Sequence, residues 1–316
     1  MRLCVYAIMR DEAPHVAAWA ETTGDADVRF VLDTGSTDDT RNELSLNGVT
    51  QAAATFEPFR FDDARNAALA LAPPADLYFR LDADERLDGD WRARLEAVYD
   101  PHIARYRYDV VSATATTWGR HRREDCHVRA GHRWRYPTHE ILVGPGIATD
   151  VPLLTVTHLG ATARRPHHDA NLDVLLGALE EYPSDHRMAF YTAREAHYAG
   201  RWELCRNLMV RFLDLPFGWA PERAEGYRIL AAIDDFPERW LWKAIGEAPE
   251  RREPWVDLSR LCLQRGEFER AATMWNEAAL RVDETIYTTD PTAWYDAFDE
   301  LRDEIDHHLS MESFPT

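Results

Sequence analysis

Apolar residues follow two patterns along this chain. In the N-terminal part, short unbroken apolar runs alternate with amphipathic stretches. Leu3–Met9 and Val28–Asp33 each read as a buried strand, the second entered from Gly24-Asp25 and closed by a turn. A helix is expected from about Glu12 to Thr23. The turn Thr34-Gly35-Ser36-Thr37-Asp38 supplies an N-cap for a second helix over 38–47. A third helix, over 62–72, is ended by Pro73-Pro74, and Leu77–Leu81 is another short strand. This alternation predicts βα units and a mainly parallel sheet covered on both faces.

Residues 101–170 behave differently: Tyr106–Thr117 and Leu153–His158 read as strands, with loops rich in Arg, Trp and His between them. From about Asn171 the pattern is helical throughout. Met188–Leu213 and Trp255–Leu280 carry similar small and aromatic residues around Gly200 and Gly266. Those glycines lie close to two periods of about 34 residues apart, and Ala231–Ile245 fits a degenerate unit between them. The expectation is two or three tetratricopeptide-like hairpins with a capping helix near 292–309, the glycines serving tight turns. An α/β domain over 1–168 is thus expected before an all-α helical domain over 169–316.

Composition narrows the function. With 45% hydrophobic and 29% charged residues in 316, the chain reads as an ordinary globular protein rather than a disordered one. A net charge of −19 argues against general coating of nucleic acid or anionic membrane. Window 101–170 departs from this, with ten Arg against six Asp and Glu, and eight of the thirteen His. Such an island marks an anionic ligand or a solvated surface. Arg120, Arg122, Arg123, Arg133 and Arg135 could meet an anionic acceptor such as a phosphorylated glycan, a nucleotide or DNA, and Trp118, Trp134 and Tyr136 could stack on a sugar or base. His167-His168 suits a metal poorly, being adjacent. Cys4, Cys126, Cys205 and Cys262 form no CxxC pair, which points to a reducing compartment, and no run is long enough to span a membrane. A cytoplasmic location is expected.

Asp82 and Asp84 stand at the carboxyl end of the strand Leu77–Leu81, where ligands of open α/β sheets bind. With one small residue between them they project the same way and can share a hard divalent cation, Mn²⁺ or Mg²⁺. The alternative is an acidic turn capping a helix. Asp33 ends another strand and could take a nucleobase N–H or a ribose hydroxyl, or simply bond its own turn. Arg65 would reach a base or phosphate, or pair with Asp62 three residues away.

Four ordered segments carry a resemblance: Ala7-Ile8-Met9-Arg10-Asp11-Glu12, Val31-Leu32-Asp33-Thr34-Gly35-Ser36-Thr37-Asp38-Asp39-Thr40, Phe61-Asp62-Asp63-Ala64-Arg65-Asn66-Ala67-Ala68-Leu69 and Leu81-Asp82-Ala83-Asp84-Glu85-Arg86-Leu87. Together they resemble the inverting family 2 glycosyltransferases of the GT-A fold, in the bacterial and phage branch that adds tetratricopeptide-like repeats. Tyr136-Pro137-Thr138-His139-Glu140 looks like that family's His-Glu element. Arg10-Asp11 departs from the usual Lys-Asn. The resemblance implies a nucleotide-sugar site around Ala7, Met9, Arg10, Glu12, Asp33, Arg65, Asp82 and Ala83. It also implies a metal on Asp84, His158 and Asp82, with Asp84 the direct ligand and Asp82 nearer the ribose. Glu140 would be the base, with His139 second.

The implied reaction moves a sugar from a nucleotide-sugar donor, UDP favoured, to a hydroxyl of a glycan, metabolite, protein or hydroxymethylated DNA base. A sugar-phosphate nucleotidyltransferase is the weaker alternative, since the loop Met9–Pro14 lacks glycine. A catalytically degenerate domain with repeats that bind a partner or a second copy is another.

Overall fold

The computed structural model describes residues 1–112, 120–160, 168–283, 287 and 289–312. Trp118, the end of the expected strand Tyr106–Thr117, and His167 lie outside them. The chain divides into two compact units, Met1–Arg165 and Pro166–Thr316.

In the first unit, β1 (Leu3–Met9), α1 (Ala13–Thr22), β2 (Val28–Asp33), α2 (Thr40–Leu46), β3 (Thr50–Ala53), α3 (Phe61–Leu71) and β4 (Leu77–Arg80) follow the expected alternation. Then come β5 (Glu85–Leu87), α4 (Trp91–Val98), β6 (Ile103–Ser112), β7 (Arg120–His127), β8 (Arg133–Arg135), β9 (Ile141–Val143) and β10 (Ile147–His158). Eight strands form one sheet in the order β3-β2-β1-β4-β7-β6-β10-β5, while β8 and β9 pair apart. The β1–β4 half is parallel. The other half departs from the expected mainly parallel sheet: β7 runs antiparallel to both β4 and β6, and β5 antiparallel to β10. Arg120–His127, expected as loop, is therefore a strand inside the sheet.

β1 shows why both faces are covered. Leu3, Val5, Ala7 and Met9 join a core with Val16, Trp19, Leu44, Trp91 and Leu95, whereas Cys4 and Tyr6 face a second core with Phe30, Leu32, Ala68 and Leu69. Successive side chains of a strand point to opposite faces, so a continuous apolar run serves two layers of helices.

The second unit is all helix among its described residues. It contains α5 (His168–Glu181), α6 (His186–Tyr198), α7 (Trp202–Asp214), α8 (Ala220–Ala232), α9 (Pro237–Glu247), α10 (Glu253–Gln264), α11 (Phe268–Ala279) and α12 (Tyr295–Glu312). The packed pairs α6–α7, α8–α9 and α10–α11 are the expected hairpins. Gly200 and Gly266, at φ 70° and 74°, end the first helices of two pairs. Each donates to the carbonyl three residues back, and the next residue reaches the helix again (Arg201 to Ala196, Glu267 to Cys262). This double bond pattern needs a left-handed residue, which glycine provides without strain. α12 closes the array, burying Phe298, Leu301 and Ile305 against Ala271 and Ala278 of α11.

Candidate active site

Because β1, β2 and β4 are parallel, their carboxyl ends share one edge. Register places Met9 beside Asp33 and Tyr6 beside Arg80, and Leu81 N donates to Tyr6 O at 3.1 Å. At the end of β2 the Asp33 carboxylate is buried. Its Oδ1 accepts from Gly35 N and Ser36 N, both at 3.1 Å, while Oδ2 has no hydrogen-bond partner. Asp33 thus fulfils the turn reading with one oxygen and presents the other unsatisfied, a costly state unless a ligand donor meets it.

Asp11, at φ 54°, clasps the same turn: Oδ1 accepts from Thr37 N at 2.7 Å, Thr37 Oγ1 at 3.2 Å and Asp38 N at 3.3 Å. Its own N donates to Ser36 Oγ at 3.0 Å. The hydrogen bond from Thr37 N leads in holding this carboxyl below its usual range. Asp tolerates the left-handed backbone that this clasp requires.

Arg65 lies on the first turns of α3 and is only 4% exposed. Nη1 donates to Asp82 Oδ1 at 3.0 Å, Nη2 to Oδ2 at 3.4 Å, and Nε to Glu140 Oε1 at 2.5 Å. The alternative pairing with Asp62 is absent: Asp62 is held by Arg60 at 3.0 Å. Arg80, the last residue of β4, also holds Asp82, at 2.5 Å, and reaches Asp125 at 2.6 Å and Glu85 at 3.4 Å. Arg123 pairs with Glu85 as well. Burial raises the Asp82 carboxyl, but the charges of Arg65 and Arg80 outweigh it and hold the group far below its usual range.

Glu140 is brought to Arg65 by a bent segment with two left-handed residues, Tyr136 (φ 86°) and His139 (φ 51°). Such backbone is strained for these residue types and persists only where its surroundings hold it. Here Phe61 N donates to Pro137 O at 2.9 Å, and Asn66 exchanges two hydrogen bonds with the Trp134 main chain, at 2.8 and 2.9 Å. His139 is half-buried beside Glu140 in the chain.

Asp84 and His158 meet although distant in sequence. β5 returns antiparallel to β10 with Glu85 opposite His158, and Leu159 N donates to Asp84 O at 2.9 Å. His158 Nε2 then lies 3.2 Å from Asp84 Oδ2. The hydrogen bond to Asp84 leads in raising the His158 imidazole; burial raises Asp84, yet the bond from His158 leaves it lowered overall. Adjacent ligands of an octahedral ion at about 2.1 Å stand about 3 Å apart, so this carboxylate–imidazole pair fits Mn²⁺ or Mg²⁺. Among the described residues no group of three or more His, Cys, Asp or Glu converges as a metal site, so any ion held here takes its remaining ligands from elsewhere. Both Asp82 oxygens are engaged by Arg65 and Arg80 rather than by this pair.

Other expected residues are placed differently. Ala7, Met9 and Ala83 are buried in the core and offer only main chain to a ligand, and Met9 O already accepts from Thr34 N. Arg10 is exposed, while Glu12 precedes α1 and its N donates to Thr40 Oγ1 at 2.7 Å. The basic island is not a free patch. Arg120 and Arg122 pair with Asp109, Arg105 and Arg107 with Glu124, and Arg123 with Glu85. Arg133 and Arg135 flank the buried Trp134 on a strand and so project to the face opposite its indole. In the helical unit a cavity of about 550 Å³ is lined by His197, Glu225, Arg228, Leu241, Asp257 and Arg260 among others.

Sequence reasoning passed over Arg80, Asp125, Tyr6 and His127. The available signal was Arg80 itself, a charge closing the apolar run Leu77-Tyr78-Phe79, which demands a buried partner.

No protein-family model and no curated protein matches the chain. Among solved structures it is similar to glucosyl-3-phosphoglycerate synthase from Mycobacterium tuberculosis in complex with Mn²⁺, UDP and glucosyl-3-phosphoglycerate, at 19% identity over 35% of this chain and 44% of that one, TM-score 0.29. It is also similar to MamA, at 15% identity over 45% of this chain and 79% of that one, TM-score 0.33. The chain thus spans less than half the length of the synthase. With TM-scores this low, function is read from this chain's own residues. No helix among the described residues is long and apolar enough to cross a membrane.

Proposed function

We propose that this chain is a metal-dependent inverting glycosyltransferase of the GT-A, family 2 type, moving a sugar from a nucleotide-sugar donor, UDP favoured, to a hydroxyl acceptor. One observation carries this reading. Three elements distant in sequence deliver Arg65, Asp82 and Glu140 into one buried ion-paired cluster, beside the Asp84–His158 pair at the same end of the sheet. Structural ion pairs do not require an unsatisfied Asp33 oxygen at that edge as well.

In this mechanism Asp33 takes a donor N–H or hydroxyl on Oδ2. Arg65 and Arg80 fix Asp82 towards the ribose, and Asp84 with His158 would hold the cation. When bound there, a divalent cation would supply Lewis-acid stabilisation of the diphosphate. Glu140, oriented by Arg65, takes the proton of the acceptor hydroxyl. The acceptor oxygen bonds to the anomeric carbon on the face opposite the diphosphate, whose bond to that carbon breaks, so the configuration inverts. A small glycan or metabolite hydroxyl suits this site better than DNA, because five of the island's ten arginines, Arg105, Arg107, Arg120, Arg122 and Arg123, are already paired with Glu124, Asp109 and Glu85. Four free, buried cysteines support a cytoplasmic setting.

The test is calorimetric titration with UDP-, GDP- and dTDP-sugars, with and without Mn²⁺, on the wild type and Asp84→Ala. Mn²⁺-dependent binding of one donor, lost in the variant, is expected. Absence of binding by every donor refutes the reading.

A further inference from the structure

Behind the Arg65–Asp82–Glu140 cluster runs a second, uncharged chain of hydrogen bonds. Trp134 Nε1 lies 2.9 Å from Tyr6 Oη, Tyr6 Oη lies 3.1 Å from His127 Nε2, and His127 Nδ1 lies 2.8 Å from Val128 O. Tyr6 and His127 are fully buried and Trp134 is 2% exposed.

Elimination fixes every proton. An indole N–H can only donate, so Tyr6 Oη accepts from Trp134. The phenol's own proton then goes to His127 Nε2, which must carry a lone pair. His127 therefore holds its proton on Nδ1 and donates it to Val128 O. Burial agrees, pushing the His127 imidazole down to about 4 and so keeping it neutral. A chain satisfied in only one direction specifies one arrangement of its members.

Trp134 is the link to the charged cluster. Its main chain is pinned by Asn66 of α3, and its ring lies beneath both guanidinium groups, 5.3 Å from Arg65 Cζ and 5.5 Å from Arg80 Cζ. Two like charges converge there on Asp82, and the negative π face beside them offsets part of their repulsion. An indole free to rotate would release both guanidinium planes, and with them the two-point hold on Asp82 and the bond to Glu140.

We propose that Tyr6 and His127 are positioning residues: they lock the Trp134 indole, and Trp134 sets the planes of Arg65 and Arg80 that orient Asp82 and Glu140. The relevance to catalysis rests on the donor site proposed above, whereas the coupling itself does not.

The experiment measures water exchange of the Arg65 Nε–H and Trp134 Nε1–H protons by nitrogen-15 NMR in the full chain. Wild type, Tyr6→Phe and Trp134→Phe are compared. Trp275, whose Nε1 donates to Phe298 O at 2.9 Å in the helical unit, is the internal reference. In Tyr6→Phe both site protons should exchange about tenfold faster or more, with Trp275 unchanged. Trp134→Phe, which keeps an aromatic face but loses the anchor, should accelerate Arg65 likewise and serves if Tyr6→Phe does not fold. An Arg65 proton unaffected in the folded variant overturns the inference.

A second arm titrates UDP, GDP and dTDP with Mn²⁺. Kd for the bound nucleotide should rise about three- to tenfold in Tyr6→Phe. Should the wild type bind none of them, the donor-site reading fails, while the exchange rates still decide the coupling.

Discussion

Arg65→Met is the sharpest perturbation of the cluster. It preserves much of the side-chain volume and removes a guanidinium that bridges two carboxylates, from Asp82 at 3.0 Å and Glu140 at 2.5 Å. Breaking a buried pair by deleting one partner costs about 3–5 kcal/mol, because the surviving charge is left uncompensated. Asp82 keeps Arg80 and is 30% exposed, so its share is reduced; Glu140, 12% exposed, loses the guanidinium that pairs with it. The expected loss is therefore about 3 kcal/mol, a fall in Tm of about 6–12 °C for a unit of this size. Urea denaturation of the full chain, followed by near-ultraviolet dichroism, would measure it. Pairing the substitution with Glu140→Gln should give a coupling energy of about 1–3 kcal/mol. Arg65→Lys should not rescue, since an ammonium cannot bond both carboxylates through a planar fork. A loss below about 1 kcal/mol, or additive behaviour with Glu140→Gln, would show that the cluster does not hold together as described.

Three further outcomes follow from single contacts. His127 is neutral in the fold to about pH 4 but protonates near 6.5 when unfolded, so its contribution, up to about 3 kcal/mol, is present above pH 6.5 and lost as pH falls towards 4. The drop in urea midpoint between pH 7 and pH 5 should accordingly be smaller in His127→Gln than in the wild type. Trp19→Phe removes the donor at 3.0 Å to Leu81 O beneath the Asp82 loop and should cost about 1–3 kcal/mol, read from the denaturation midpoint. Gly226→Ala on α8 would set a Cβ 2.9 Å from Met209 Sδ and 3.3 Å from Phe212, and overpacking should destabilise the helical unit by about 1–3 kcal/mol; an unchanged melting curve would refute that packing.

Much of the fold was legible because it is local. Buried parallel strands announce themselves as unbroken apolar runs, and β1, β2 and β4 lie where Leu3–Met9, Val28–Asp33 and Leu77–Leu81 predict. The repeated glycines were equally readable, since Gly200 and Gly266 make the same left-handed helix end. β7 was not, because Arg-His-Arg-Arg-Glu-Asp-Cys-His has the composition of a loop. Within the sheet its charges are compensated by distant groups, Arg123 by Glu85 and Asp125 by Arg80, pairings that no window of neighbouring residues contains.

By itself, then, the sequence determined which residues stand at strand ends: Asp33 closing β2, and Asp82 and Asp84 just after β4. The tertiary structure alone decided their partners. Strand order and the antiparallel return of β5 set His158 against Asp84, and the strained turn before Glu140 set that carboxylate on Arg65 rather than leaving Arg65 to Asp62. The physical reason is that backbone periodicity is written in adjacent residues, whereas the compensation of a buried charge depends on whichever distant group the topology brings within about 3 Å.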